Sequence, residues 1–205
     1  AFAEETFRLQ KKYLADSIRA EINEKRRYAV NQTMRLMLGD EPAGLPLYGF
    51  LEDLEKITPQ SAAAAYARIL RECRIEIVHA GTGDASRIRP LFEGSSGGRF
   101  AEGRTPCVRP PFRHIPAPGP IKTATDNFEV VQSKLCIGYR VDITPGGKEL
   151  SAMRMMVAIL GGTATSKLFL NVREKQSLCY YCGANLDRTK GIVLIDSGVR
   201  PDNAE

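Results

Sequence analysis

Few side chains in this sequence stand in patterns that can carry a reaction. Cys179-Tyr180-Tyr181-Cys182 is a literal C-x-x-C, the spacing of dithiol redox centres and of half a zinc ribbon. A thioredoxin-like pair needs its first cysteine at a helix N-terminus, where the dipole stabilises a thiolate. Here the pair falls in a predicted strand, where positions i and i+3 project to opposite faces, and no second C-x-x-C completes a zinc ribbon. The spacing therefore argues against redox or metal chemistry. His79 and His114 are the only histidines, and neither has an acidic residue at metal-motif spacing. Ser166 and Ser197 have no histidine in a comparable setting, and G-x-S-x-G does not occur. Gly81-Thr82-Gly83-Asp84 lacks the Gly-Lys-Ser/Thr that a phosphate cradle requires. It reads as a strand end, with Asp84 capping a helix from Ala85 to Phe92.

The elements that must position these groups fall into two blocks. Glu4 to Arg27 reads as one uninterrupted amphipathic helix, with Phe7, Leu14, Ile18 and Ile22 at helical spacing and Glu21 four residues before Lys25, the favourable order for a surface pair. Helix resumes from Tyr28 to Leu38 and stops at Gly39-Asp40-Glu41-Pro42. Leu45 to Leu54 is a turn leading into a short helix. Thr58-Pro59 starts an alanine-rich helix over Ser61 to Glu72, and Ile75 to Val78 is a short strand. Composition then shifts to glycine and serine, and after that to proline at 106, 110, 111, 116, 118 and 120, which marks a linker that is stiff in its second half. The implied division is 1–93, a linker at 94–120, and 121–205.

Beyond the linker, Phe128 to Ile143 alternates as one or two strands, Leu135, Ile137 and Tyr139 on one face and Lys134, Cys136 and Arg140 on the other. Leu150 to Leu160 is a helix stopped by Gly161-Gly162, whose glycines allow positive φ and close backbone approach. Ser166 to Lys175 is a second helix, with Leu168 and Val172 inward and Arg173 on the far side, near the C-terminus where a cation meets the negative end of the macrodipole. Tyr180 follows seven positions later on a strand, Asn185 to Thr189 is a polar turn, and Ile192 to Val199 pairs back as a hairpin. Pro201 to Glu205 has the look of a helix beginning, as in a chain cut from a longer protein inside a second half.

Composition bounds the function. A 43% apolar fraction over 205 residues supports a real core. No run reaches the roughly 18 apolar residues of a membrane span, so no membrane role is expected. Net charge is +5, from Lys and Arg interleaved with acids, which does not suggest nucleic acid. Five scattered cysteines fit a reducing compartment, and the cytoplasm is the expected location.

The stretch Gly161-Gly162-Thr163, Ser166 to Lys175 with its Val172-Arg173-Glu174, and Leu178-Cys179-Tyr180-Tyr181 resembles the pitrilysin and insulin-degrading-enzyme family of zinc peptidases. The likeness extends over Lys134 to Arg140 and Lys190 to Leu194, so it spans about Val130 to Val199. It implies an α+β fold like that of LuxS and mitochondrial processing peptidase, with mostly antiparallel sheets and helices packed on one face, in two incomplete units. It also implies that Arg173 and Tyr180 hold the carbonyl and main chain of a bound peptide.

In that family, catalysis rests on H-x-x-E-H, two zinc-binding histidines around a glutamate that acts as general base. This motif is absent from the chain. The family's third zinc ligand and its companion glutamate sit on a helix resembling Glu4 to Arg27, where the positions fall on Gln10 and Ser17; a register slipped by one offers Asp16. The resemblance thus implies a degenerate member with no catalytic residue and no cofactor in this chain, which binds peptide or pairs with an active homologous subunit or with itself. Two alternatives are an active zinc endopeptidase whose H-x-x-E-H lies upstream, with zinc in the full-length parent, and a purely structural assembly module.

Overall fold

The structure, a computed structural model, describes residues 2–73, 78–93, 120–143 and 146–203. Three residues of the expected strand at Ile75 to Val78, all of the expected linker except Pro120, and His114 lie outside these residues. The chain forms two compact units. One gathers the described residues of Ala1–Leu14 and Leu51–Pro111, the other those of Ala15–Phe50 and Phe112–Glu205.

The first unit is helical: the start of α1 (Glu4–Ala20), then α3 (Leu51–Lys56), α4 (Pro59–Glu72) and α5 (Ala85–Glu93). α4 begins as its sequence predicts. Thr58 Oγ1 accepts from the Ser61 N–H at 3.1 Å, Ser61 Oγ accepts from the Thr58 N–H at 2.9 Å, and Pro59 occupies the first turn, where no N–H is needed. Asp84 Oδ1 accepts from the Ser86 N–H at 2.9 Å, which is the expected cap of α5. Lys11 Nζ ties α1 down by donating to the carbonyls of Glu55 and Ile57 at 3.1 and 3.0 Å, at the negative end of α3.

In the second unit, the helix expected to run unbroken to Arg27 stops at Ala20. A 3₁₀ turn, Glu21–Asn23, passes the chain to α2 (Lys25–Leu38). Lys25 Nζ donates to the Ile22 carbonyl at 2.8 Å and Glu21 accepts from Asn31, so local bonds replace the expected Glu21–Lys25 pair. α2 ends at Gly39, with φ 56°, as expected of a C-cap glycine.

Three antiparallel strands, β1 (Ser133–Arg140), β2 (Cys179–Asp187) and β3 (Ile192–Val199), form a sheet in the order β1-β3-β2. β2 runs further than the sequence suggests. The polar turn expected from Asn185 is confined to the residues after Asp187, whose Oδ1 accepts from the N–H groups of Thr189 and Lys190 at 3.0 and 3.1 Å, with Gly191 at φ 63°. The α+β class stands, but helices flank the sheet on both faces rather than one. α2 covers the face carrying Cys136, Gly138 and Asp196. On the other face lie α6 (Glu149–Val157) and the turns that follow it, around Val157, Ala184 and Val193 with Met153, Leu160, Leu168, Leu186 and Ile195.

The paired glycines do not stop α6. The chain continues through Ala158–Gly162 as a widened π-helical turn, and neither glycine takes positive φ. Gly161 is instead required by close approach, because a Cβ there would lie 2.6 Å from the Ala184 backbone nitrogen and 2.9 Å from its Cβ. A second wide turn, Phe169–Lys175, leads toward β2.

Candidate functional site

The site is built from the second wide turn and the start of β2. Buried Ser166 opens the turn: its Oγ accepts from the Phe169 N–H at 3.4 Å and its carbonyl accepts from the Leu170 N–H at 2.9 Å. That capping role accounts for its burial without any nucleophilic function. At the other end Ser177, at φ 51°, donates to the Arg173 carbonyl at 3.2 Å, and Leu178 donates to the Val172 carbonyl at 3.1 Å. Both are ways of satisfying terminal carbonyls. The Arg173 guanidinium lies over the Phe169 ring, 4.6 Å from its centroid, and 3.7 Å from Glu174, and the side chain stays 43% exposed. Widened turns of this kind recur at functional sites because the extra residue re-aims side chains.

β2 starts with an irregularity. Cys179 faces Val199 and Tyr181 faces Gly198, so Tyr180 is a bulge without a partner in the ladder, and it is 56% exposed. The bulge corrects the reading of C-x-x-C. Cys179 and Cys182 stand opposite Val199 and Ser197, two positions apart on β3, so both project to one face instead of opposite faces. Cys179 lies close enough to act on the Cys182 thiol. Burial first, then the neighbouring Cys179, pushes the Cys182 thiol up to about 11, while Arg173 pulls it down. Arg173 and the dithiol therefore share one electrostatic neighbourhood.

Tyr181 points to the opposite face. There Arg26 lies over its ring at 4.7 Å and donates to buried Asp196 through Nε at 2.5 Å and Nη2 at 3.2 Å. Lys134 Nζ approaches the same ring at 5.2 Å, and Arg140 pairs with Glu41. Burial, then the Asp196 charge, raises the Tyr181 phenol. This polar cluster went unnoticed in the sequence, although a carboxylate inside the apolar run Ile192 to Val199 was a usable signal, since a buried charge needs a partner.

The positions matched to zinc ligation, Gln10 and Ser17, lie on α1 and carry no carboxylate or imidazole. Asp16 is engaged by Arg19 at 3.6 Å. His79 is exposed, and among the described residues no three His, Cys, Asp or Glu side chains gather to hold a metal. The donor set among the described residues does not fit a zinc centre. Among the described residues, no helix is long and apolar enough to cross a membrane.

Comparison with known proteins identifies the family. Residues 56–205 match the sequence pattern of the Peptidase M16 inactive domain. The chain is 27% identical over its full length to a protein of Bacillus subtilis (strain 168) named probable inactive metalloprotease YmfF, and covers 47% of that protein. It is 27% identical to the uncharacterized zinc protease Rv2782c of Mycobacterium tuberculosis, over 79% of this chain and 35% of that protein. The chain thus spans about half or less of the length of these relatives. Among solved structures, a conserved protein from Enterococcus faecalis V583 superposes with a TM-score of 0.87 at 28% identity, over 97% of this chain and 46% of that one. A peptidase M16 inactive domain from Pseudomonas fluorescens shares the fold, with a TM-score of 0.64 at 18% identity over 98% of this chain and 48% of that one. By its sequence pattern the chain belongs to the family of M16 peptidase inactive domains.

Proposed function

We propose that this chain holds an extended peptide without hydrolysing it, with Arg173 and Tyr180 as the groups that grip the peptide main chain. The observation that carries this reading is the bulge. It pushes Tyr180 out of the ladder on β2, a strand with one neighbour among the described residues, while the adjoining wide turn leaves the Arg173 side chain exposed. A guanidinium donates to peptide carbonyls, a phenol donates and accepts, and an edge strand offers main-chain bonds to an added strand. Hydrolysis is not assigned to the chain, since it has neither H-x-x-E-H nor a fitting donor set among the described residues. Zinc and catalysis, where the parent has them, belong to other segments or to a homologous subunit, with the cytoplasm as the expected setting. Anisotropy of fluorescein-labelled carboxymethylated casein peptides tests the reading. Binding is expected to weaken about tenfold in Arg173→Ala, the loss of one charge-assisted bond. Unchanged affinity removes Arg173 from the site.

A second reading, pairing with a homologous subunit, is favoured by a separate feature. Leu135, Ile137 and Tyr139 on β1 are 45%, 39% and 51% exposed, an apolar strip on one face of the sheet. Light scattering of the chain with and without Ile137→Lys checks it: a dimer that the substitution disperses supports assembly through this strip, and a monomer in both rejects self-pairing.

A further inference from the structure

We propose that Cys179 and Cys182 are a dithiol–disulfide couple whose closure staples the β2 bulge and fixes Tyr180 at its apex. The geometry is specific to the bulge. In an unbroken strand the two sulfurs would lie on opposite faces, but the extra residue places both on one face, opposite Ser197 and Val199. Two residues of strand span about 6.6–6.8 Å, at the upper end of the Cα separation that a disulfide takes, and Cys179 lies near enough to act on the Cys182 thiol. Cys136 belongs to the other face of the sheet, where Asp196 faces it in the register, and Cys73 belongs to the other compact unit. Cys136 therefore does not compete as a partner within this face.

The oxidant is a low-molecular-weight disulfide. Cys182 is the more exposed of the pair and reacts first. Its thiolate attacks one sulfur of the external disulfide, the S–S bond breaks, and one thiolate leaves. Cys179, deprotonated, then attacks the Cys182 sulfur, expels the second thiolate and closes the ring. Two protein thiols give up two protons and two electrons, and the external disulfide is reduced to two thiols. The high thiol value of Cys182 makes the first step slow near neutrality and faster in base.

The test uses the whole 205-residue chain with oxidised glutathione, followed by alkylation and trypsin. Cleavage after Lys175 and Arg188 releases Gln176–Arg188, which contains both cysteines and no other. The expected product is this peptide lighter by two hydrogens and unalkylated, restored to double alkylation by dithiothreitol, with amide exchange at Tyr180 and Tyr181 slowed about tenfold in the oxidised chain. The couple is overturned by a doubly alkylated peptide after oxidation, by glutathione held on one cysteine with the other free, or by a bridge to Cys136. Closure only in guanidinium, or unchanged exchange after closure, overturns the staple. These readouts contain no peptide ligand, so they stand or fall separately from the peptide-holding role.

Discussion

The two faces of the sheet are held by different physics. Against α2 the contact is polar: Arg26 reaches buried Asp196 and stacks on Tyr181, Lys134 shares that ring, and Arg140 pairs with Glu41. Against α6 it is apolar and close, with Val157, Ala184 and Val193 at its centre and Gly161 pressed on β2. Charged contacts fix direction, because a misplaced partner leaves a buried carboxylate bare. Apolar contacts fix distance, because they demand filled volume. The exposed residues assigned to the site, Arg173 and Tyr180, are attached to the distance-fixing side, through the wide turn and the bulge.

That contrast breaks most sharply at Arg26. Arg26→Ala leaves Asp196 buried without its hydrogen-bonded cation and is expected to lower unfolding stability by about 3 kcal/mol, whereas Asp196→Ala costs less because the half-exposed Arg26 side chain regains water. Denaturant melts of both variants decide it; equal losses would show that the pair is not the clamp. Next comes Gly161→Ala. Its new Cβ meets backbone that cannot give way, so overpacking of about 2 kcal/mol outweighs the better helix propensity of alanine. A neutral result in the same melts would show that α6 does not seat on β2 there.

The distance-fixing side also carries a pH signature. Cys182 ionises only near 11 when folded and near about 8.5 when unfolded, so the unfolded chain releases its proton first and stability declines across that interval. Alkylation of Cys182, with Cys179 and Arg173 as its titrating or charged neighbours, should rise about tenfold per pH unit from 7 to 9 without a plateau. A plateau near 8.5 would mean that the thiol is not shielded. The smallest stability effect belongs to Arg173→Ala, within about 0.5 kcal/mol, since its partners Glu174 and Phe169 are local and it is exposed. A large loss in its melt would make Arg173 structural.

Local chemistry was legible and pairing was not. Thr58-Pro59, Asp84 before α5 and Gly39 after α2 state their roles within four residues, and the structure places them as expected. The break at Glu21–Asn23 lies among good helix formers, and it is made by bonds to Ile22 and Asn31 that periodicity does not encode. The bulge at Tyr180 depends on the register with β3, so neither it nor the shared face of Cys179 and Cys182 could be read from C-Y-Y-C alone. The spacing puts Arg173 on the outer side of its helix, where its side chain is exposed, but the spacing does not encode the widening of that helix.

Hydrogen exchange of the chain with and without a saturating carboxymethylated casein peptide tests most directly where a peptide is held. Added protection is expected over Phe169–Lys175 and the start of β2, with the casein peptide recovered intact. Protection confined to β1 around Ile137, or cleavage of the peptide by the chain alone, would contradict it.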